Sequence, residues 1–142
     1  MKSWHAENDP RTYAIIGAAM EVHRELGPGY LEVAYQRALA LEFAARGIAF
    51  EKEASVPLAY KGQPLGVPFR VDFVCGEVMV ELKALPAVGR AERSQLIHYL
   101  KAAGHEVGLL VNFGTASLQF ERVILSHNHP QPAGVSEIPE KT

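Results

Sequence analysis

The stretch "PFRVDFVCGEVMVELKA", residues 68–84, decides how this chain folds. Two runs of β-branched and aromatic residues flank Gly76 and Glu77, which predicts two strands joined by a tight hairpin. Charges interrupt both runs. Side chains alternate faces along a strand, so Arg70, Asp72 and Val74 share one face while Phe69, Val71 and Phe73 share the other. In the second run Met79, Glu81 and Lys83 lie together, with Val78, Val80 and Leu82 opposite. Each strand thus has one apolar and one mixed face. A two-residue turn flanked by Cys75 and Val78 sets Asp72 opposite Glu81.

Two adjacent carboxylates repel, and each raises the other's pKa unless a cation lies between them. Lys83 supplies part of that positive charge; a divalent metal would supply more. Hard oxygen ligands suit Mg²⁺ or Mn²⁺. Such a site polarises a phosphoryl oxygen and activates a water, while a lysine ammonium steadies the developing charge. On spacing alone, the default reading of the same pattern is an exposed sheet face carrying solvated ion pairs.

Working outward, Asp9 before Pro10 is a helix-start signal, and Ile15, Ala19, Val22 and Leu26 recur at helical spacing until Gly27 and Pro28. This predicts a helix over 11–26. After "GPG" a second helix is expected over 31–46, with Leu31, Ala34, Ala38, Leu41 and Ala45 as its apolar face and Gly47 as its stop. "IAFEKEASVPLAY", the turn "KGQPLG" and the two runs already quoted then read as a meander of three antiparallel strands. "AERSQLIHYLKAAG" reads as a crossover helix, "VGLLVNFG" as a strand covered on both faces, and "SLQFERVIL" as a last alternating strand. The element order is ααβββαββ, an α/β fold with a mixed sheet of about five strands flanked by helices. Residues 1–125 read as one domain, and the polar, proline-rich 126–142 as a mobile tail.

Composition narrows the function classes. The 142 residues are 48% hydrophobic and 21% charged, with a formal net charge of -2. No basic excess announces a nucleic-acid binder, so any phosphate contact falls to a local patch or a metal. The longest apolar runs are far short of the roughly 20 residues a bilayer span needs, and "MKSWHAENDP" lacks the apolar core of a signal peptide. Cys75 is the single cysteine, which points to a reducing cytoplasm.

The set of an acid, a second acid and a lysine, together with this element order, resembles the PD-(D/E)XK nuclease superfamily. "VD" at Val71 and Asp72 matches the first half of its motif, with Val71 where proline is usual, and "ELK" at Glu81, Leu82 and Lys83 matches the second. "GYLEVAY" at 29–35 is similar to the Gly-x-x-Glu-x-x-Tyr signature of the GxxExxY protein family within that superfamily. The likeness runs on through "VELKAL", "SQLIHYLKAAG", "VGLLVNFG" and "ERVI", over roughly residues 11–125.

The resemblance implies a restriction-endonuclease-like core and metal-dependent hydrolysis of DNA or RNA. It implies Asp72 and Glu81 as metal ligands, Lys83 as electrostatic catalyst, and Glu32 as an auxiliary ligand or base. It also implies that Tyr35, one turn from Glu32, and the helical pair Gln95 and Tyr99 contact nucleic acid. Read from the residues alone, Glu32 and Tyr35 fit a surface carboxylate beside a packed ring, and Gln95 and Tyr99 a bridging glutamine beside a buried tyrosine. Glu53 reads by default as an edge-strand charge that limits aggregation. His127 and His129 lie in the expected tail, and "NFG" at 112–114 suits a turn. The absence of a separate recognition domain leaves two routes open. One is a homodimer that supplies more surface; the other is a catalytically inactive member of the fold that binds nucleic acid or protein.

Overall fold

In a computed structural model of the protein, which describes residues 9–67 and 69–125, the runs at 70–75 and 78–83 are adjacent strands at the middle of one sheet. The elements are α1 (Pro10–Leu26), α2 (Glu32–Arg46), β1 (Glu51–Ser55), β2 (Ala59–Tyr60), β3 (Gln63–Pro64), β4 (Arg70–Cys75), β5 (Val78–Lys83), α3 (Arg90–Ala103), β6 (Val107–Asn112) and β7 (Gln119–Ile124). The main sheet has the order β1-β4-β5-β6-β7. Its pairings are antiparallel except β5 with β6, which are parallel and joined by the α3 crossover. The fold is therefore the expected α/β arrangement with a five-stranded mixed sheet. One feature was not foreseen: the "KGQPLG" turn carries its own small hairpin, β2 with β3, outside the main sheet.

Local chemistry explains the boundaries. Asp9 caps α1 by accepting the Arg11 amide at 2.9 Å, and its other oxygen ties the helix to β7 through Arg122 at 2.7 Å. Gly47 and Gly104 end α2 and α3 with φ of 72° and 75°, conformations that cost a residue with a Cβ. Gly76, at φ 60°, suits the first central position of a type II′ hairpin turn.

The sheet is covered on both sides. Ile15, Ala19 and Val22 of α1 and Tyr35, Leu39 and Phe43 of α2 pack with Phe73, Val80, Leu82 and Val111 on one side. Leu96, Tyr99 and Leu100 of α3 pack with Val71, Met79 and Leu110 on the other. The apolar face of α2 is rotated from the one expected. Leu31 and Leu41 are 79% and 75% exposed, and the buried stripe is Tyr35, Leu39 and Phe43 at steps of four. Bulky aromatic side chains remove far more apolar surface from water than alanines do, so the helix turns to bury them. The tail expected over 126–142, with His127 and His129, lies outside the described residues.

Candidate active site

The β4–β5 ladder runs from Cys75–Val78 through Val74–Met79 to Phe73–Val80. This is the register that the Gly76-Glu77 turn implies, and one step further it sets Asp72 against Glu81. At that step side chains take over from the main chain. In an unbroken ladder of this register the Leu82 amide would bond the Val71 carbonyl. It donates instead to Asp72 Oδ2, at 2.8 Å. The Asp72 amide in turn reaches Glu81 Oε1 at 3.4 Å. Gln36 Nε2, from α2, donates to Asp72 Oδ1 at 2.8 Å. The Asp72 carboxylate thus lies between the two strands, held by a donor from β5 and a donor from the helix layer.

Glu81 is 7% exposed. Burial and the nearby Asp72 charge push its carboxyl up to about 8, with Glu32 adding to the rise and Lys83 opposing it. Asp72 is also raised, chiefly by burial, against the lowering effect of the Leu82 and Gln36 hydrogen bonds. Glu32, exposed at the start of α2, is raised by desolvation and then by the Asp72 charge. These three acids therefore form one interacting cluster whose charged forms are disfavoured chiefly by burial, and which Lys83 offsets only in part. Lys83 is the cation beside it. Its Nζ lies 3.7 Å from Glu81 Oε2 and donates to Gln95 Oε1 at 2.9 Å. Gln95 also hydrogen-bonds the Tyr99 hydroxyl, whose pKa is raised by burial and by the Glu81 charge. Among the described residues no three His, Cys, Asp or Glu side chains are grouped closely enough to hold a metal ion by themselves. The carboxylate oxygens present are nonetheless hard donors in partial burial, a chemistry that fits Mg²⁺ or Mn²⁺.

The structure thus brings Asp72, Glu81, Lys83, Gln95 and Tyr99 together, with Glu32 at the edge. Tyr35, expected to contact nucleic acid, does not join them but lies in the core. Its ring is fully buried and stacked on Phe113, with centroids 4.6 Å apart. Its hydroxyl donates to the Gly27 carbonyl at 2.5 Å and accepts the Tyr30 amide at 3.2 Å. "GYLEVAY" is therefore a fastened turn: Gly29 takes φ 117°, Tyr35 pins the loop between α1 and α2, and Glu32 starts the helix facing the acids.

Two supporting residues were missed in the sequence. Gln36 is one helical turn from Glu32, and that spacing is the signal that could have found it. The other is Asn112, fully buried. It clamps the chain just after Lys83, accepting the Leu85 amide at 2.9 Å and donating to the Leu85 carbonyl at 3.0 Å. Asn112 also accepts the Gly114 amide at 3.1 Å and donates to Gln119 at 2.9 Å. A Cβ on Gly114 would come within 2.3 Å of the Leu85 carbonyl oxygen, so only glycine fits there. "NFG" is a brace that fixes the exit of the strand carrying Glu81 and Lys83.

Comparison with known proteins bears on what this arrangement does. The sequence model of the PD-(D/E)XK nuclease superfamily matches residues 9–123. No curated protein and no solved structure matches the chain.

Proposed function

The chain belongs to the PD-(D/E)XK nuclease superfamily, and from that premise we propose that it hydrolyses phosphodiester bonds of DNA or RNA at the Asp72–Glu81 pair. The observation that carries this reading is the buried Asp72–Glu81 pair, whose pKa values are raised chiefly by burial and which Lys83 offsets only in part. Asp72 and Glu81, with Glu32 as an auxiliary ligand and water or phosphate oxygens completing the shell, would hold Mg²⁺ or Mn²⁺, which when bound supplies Lewis-acid polarisation of the phosphoryl group and a lowered pKa for an attacking water.

The chain's own residues supply the rest. Gln36 and the Leu82 amide hold Asp72 in the carboxylate form and in one orientation. Lys83, steered by Gln95, offers its ammonium to the charge that develops on phosphate. Glu32, whose raised pKa brings it closer to neutrality, serves as an auxiliary ligand or as the base that receives a proton from water. Gln95 and Tyr99 border this cluster and are assigned to contact with the nucleic acid.

Within the superfamily we place the chain in the GxxExxY branch, on the strength of Gly29, Glu32 and Tyr35. We take residues 1–125 as one catalytic domain, which as a homodimer would present a longer contact surface. Among the described residues no helix is long and apolar enough to cross a membrane. The lone, buried Cys75 suits a reducing cytoplasm.

The test is cleavage of labelled single- and double-stranded DNA and RNA with Mg²⁺ or Mn²⁺, alongside thermal melting. Cleavage is expected to require the cation and to be lost in Asp72→Asn and Lys83→Ala. Mn²⁺ is expected to raise the melting temperature of the wild type but not of Asp72→Ala. Failure to cut any substrate, together with no metal-induced stabilisation, overturns the proposal.

A further inference from the structure

Alternation of faces breaks in two neighbouring strands at the same step. In β4, Val71 and Phe73 are two residues apart and should share a face, yet Val71 packs into the α3-side core and Phe73 into the α1–α2 side. In the chain entering and forming β1, Phe50 packs on the α1–α2 side while Ala54 packs on the α3 side. The β1–β4 register pairs Lys52 with Phe73 and Ala54 with Val71. The pair between them, Glu53 with Asp72, is skipped. Glu53 has φ 56°, a left-handed conformation uncommon for any residue but glycine and especially out of place in a strand.

The hydrogen bonds carry the same mark. In a two-residue hairpin the pairs flanking the turn exchange hydrogen bonds and the next pairs do not. On the hairpin side this gives Cys75–Val78 and Phe73–Val80 bonded pairs, so the Asp72 amide should point away from β5, toward β1. It reaches Glu81 on β5 instead. Backbone strain of this kind persists only where the surrounding structure enforces it, and it gathers at functional sites.

We propose that Glu53 is a positioning residue. Its left-handed backbone turns β1 and β4 over together at the Glu53–Asp72 step, which swings Asp72 out of the alternating face and into the gap between β4 and β5. What Glu53 contributes is a backbone conformation, not its carboxylate. The proposal concerns the same acid pair as the proposed hydrolysis but rests on backbone geometry alone.

The test compares Glu53→Gly, Glu53→Gln and Glu53→Val in the full chain. The readouts are melting temperature, the Gln36 side-chain amide signal by NMR, and Mn²⁺ affinity. Glycine adopts φ above zero without strain, whereas a β-branched residue resists it. Glu53→Gly is expected to melt above Glu53→Gln, and both to keep the Gln36 signal and the Mn²⁺ affinity of the wild type. Glu53→Val is expected to shift the Gln36 signal toward that of a solvent-exposed amide and to weaken Mn²⁺ binding by about tenfold or more. An unshifted Gln36 signal in Glu53→Val overturns the proposal, as does a Glu53→Gln variant that loses the signal, or a Glu53→Gly variant that melts below Glu53→Gln. The melting order and the Gln36 signal are read without metal, so they are decided separately from metal-dependent cleavage.

Discussion

The Asp72 carboxylate stands where a strand carbonyl would be, accepting the Leu82 amide at 2.8 Å. An acid that replaces a ladder partner is held as firmly as the sheet itself. Its second oxygen is held by Gln36 at 2.8 Å, so the orientation of a strand carboxylate depends on a side chain from helix α2. The consequences can be measured.

Gln36→Leu removes a buried hydrogen bond to a charged group, an interaction worth about 1.5–3 kcal/mol. Chemical denaturation at neutral pH should show a loss of that order in the metal-free protein. Mn²⁺ titration should show weaker binding, because Asp72 loses one of the donors that favour its ionised form.

Glu81 gives the protein an unusual pH dependence. Its folded pKa is about 8 against 4.5 for the free group, so between those values the folded state holds a proton that the unfolded state has released. Stability from this group is full below pH 4.5 and is lost as pH rises through about 8. Glu81→Gln removes the penalty and should melt well above the wild type at pH 8.5, with the gap closing toward pH 4.5. The expected gain at high pH is on the order of a few kcal/mol. Equal melting temperatures at both pH values would show that the acid is not desolvated as the structure has it.

Gln95→Leu leaves the Asp72–Glu81 pair intact but frees Lys83 Nζ from its 2.9 Å partner. The expected signature is a fall in kcat with Mn²⁺ affinity close to that of the wild type. A matched fall in metal affinity would instead place Gln95 in support of the carboxylates.

Gly114→Ala forces a methyl group to within 2.3 Å of the Leu85 carbonyl oxygen and 2.5 Å of its amide nitrogen. Backbone cannot yield as a flexible side chain can, so a loss of stability above about 2 kcal/mol is expected by denaturant titration. Asn112→Ala should also destabilise, since it strips the Leu85 amide and carbonyl of buried partners.

The residues at 68–84 by themselves determined a good deal. The alternation of charge and apolar side chains, with Gly76 at the turn, set two strands, their register and the approach of Asp72 to Glu81. Those are local matters, because a hairpin's turn length fixes which residues meet; strand periodicity did not fix the faces throughout, since alternation breaks at Asp72 and puts Val71 and Phe73 on opposite sides of the sheet. The order of helices and strands was likewise legible from period and punctuation, although the KGQPLG segment hid a second hairpin and α2 buried a different stripe. Tertiary structure decided the rest. Whether Tyr35 faced solvent or core depended on Phe113 more than seventy residues away in the chain. Gln36, Asn112 and Glu53 gain their meaning only from what Asp72, Leu85 and the neighbouring strand bring to them. A hydrogen bond needs both partners in place within a few tenths of an ångström, and for partners far apart in the chain only packing of the whole fold sets that distance.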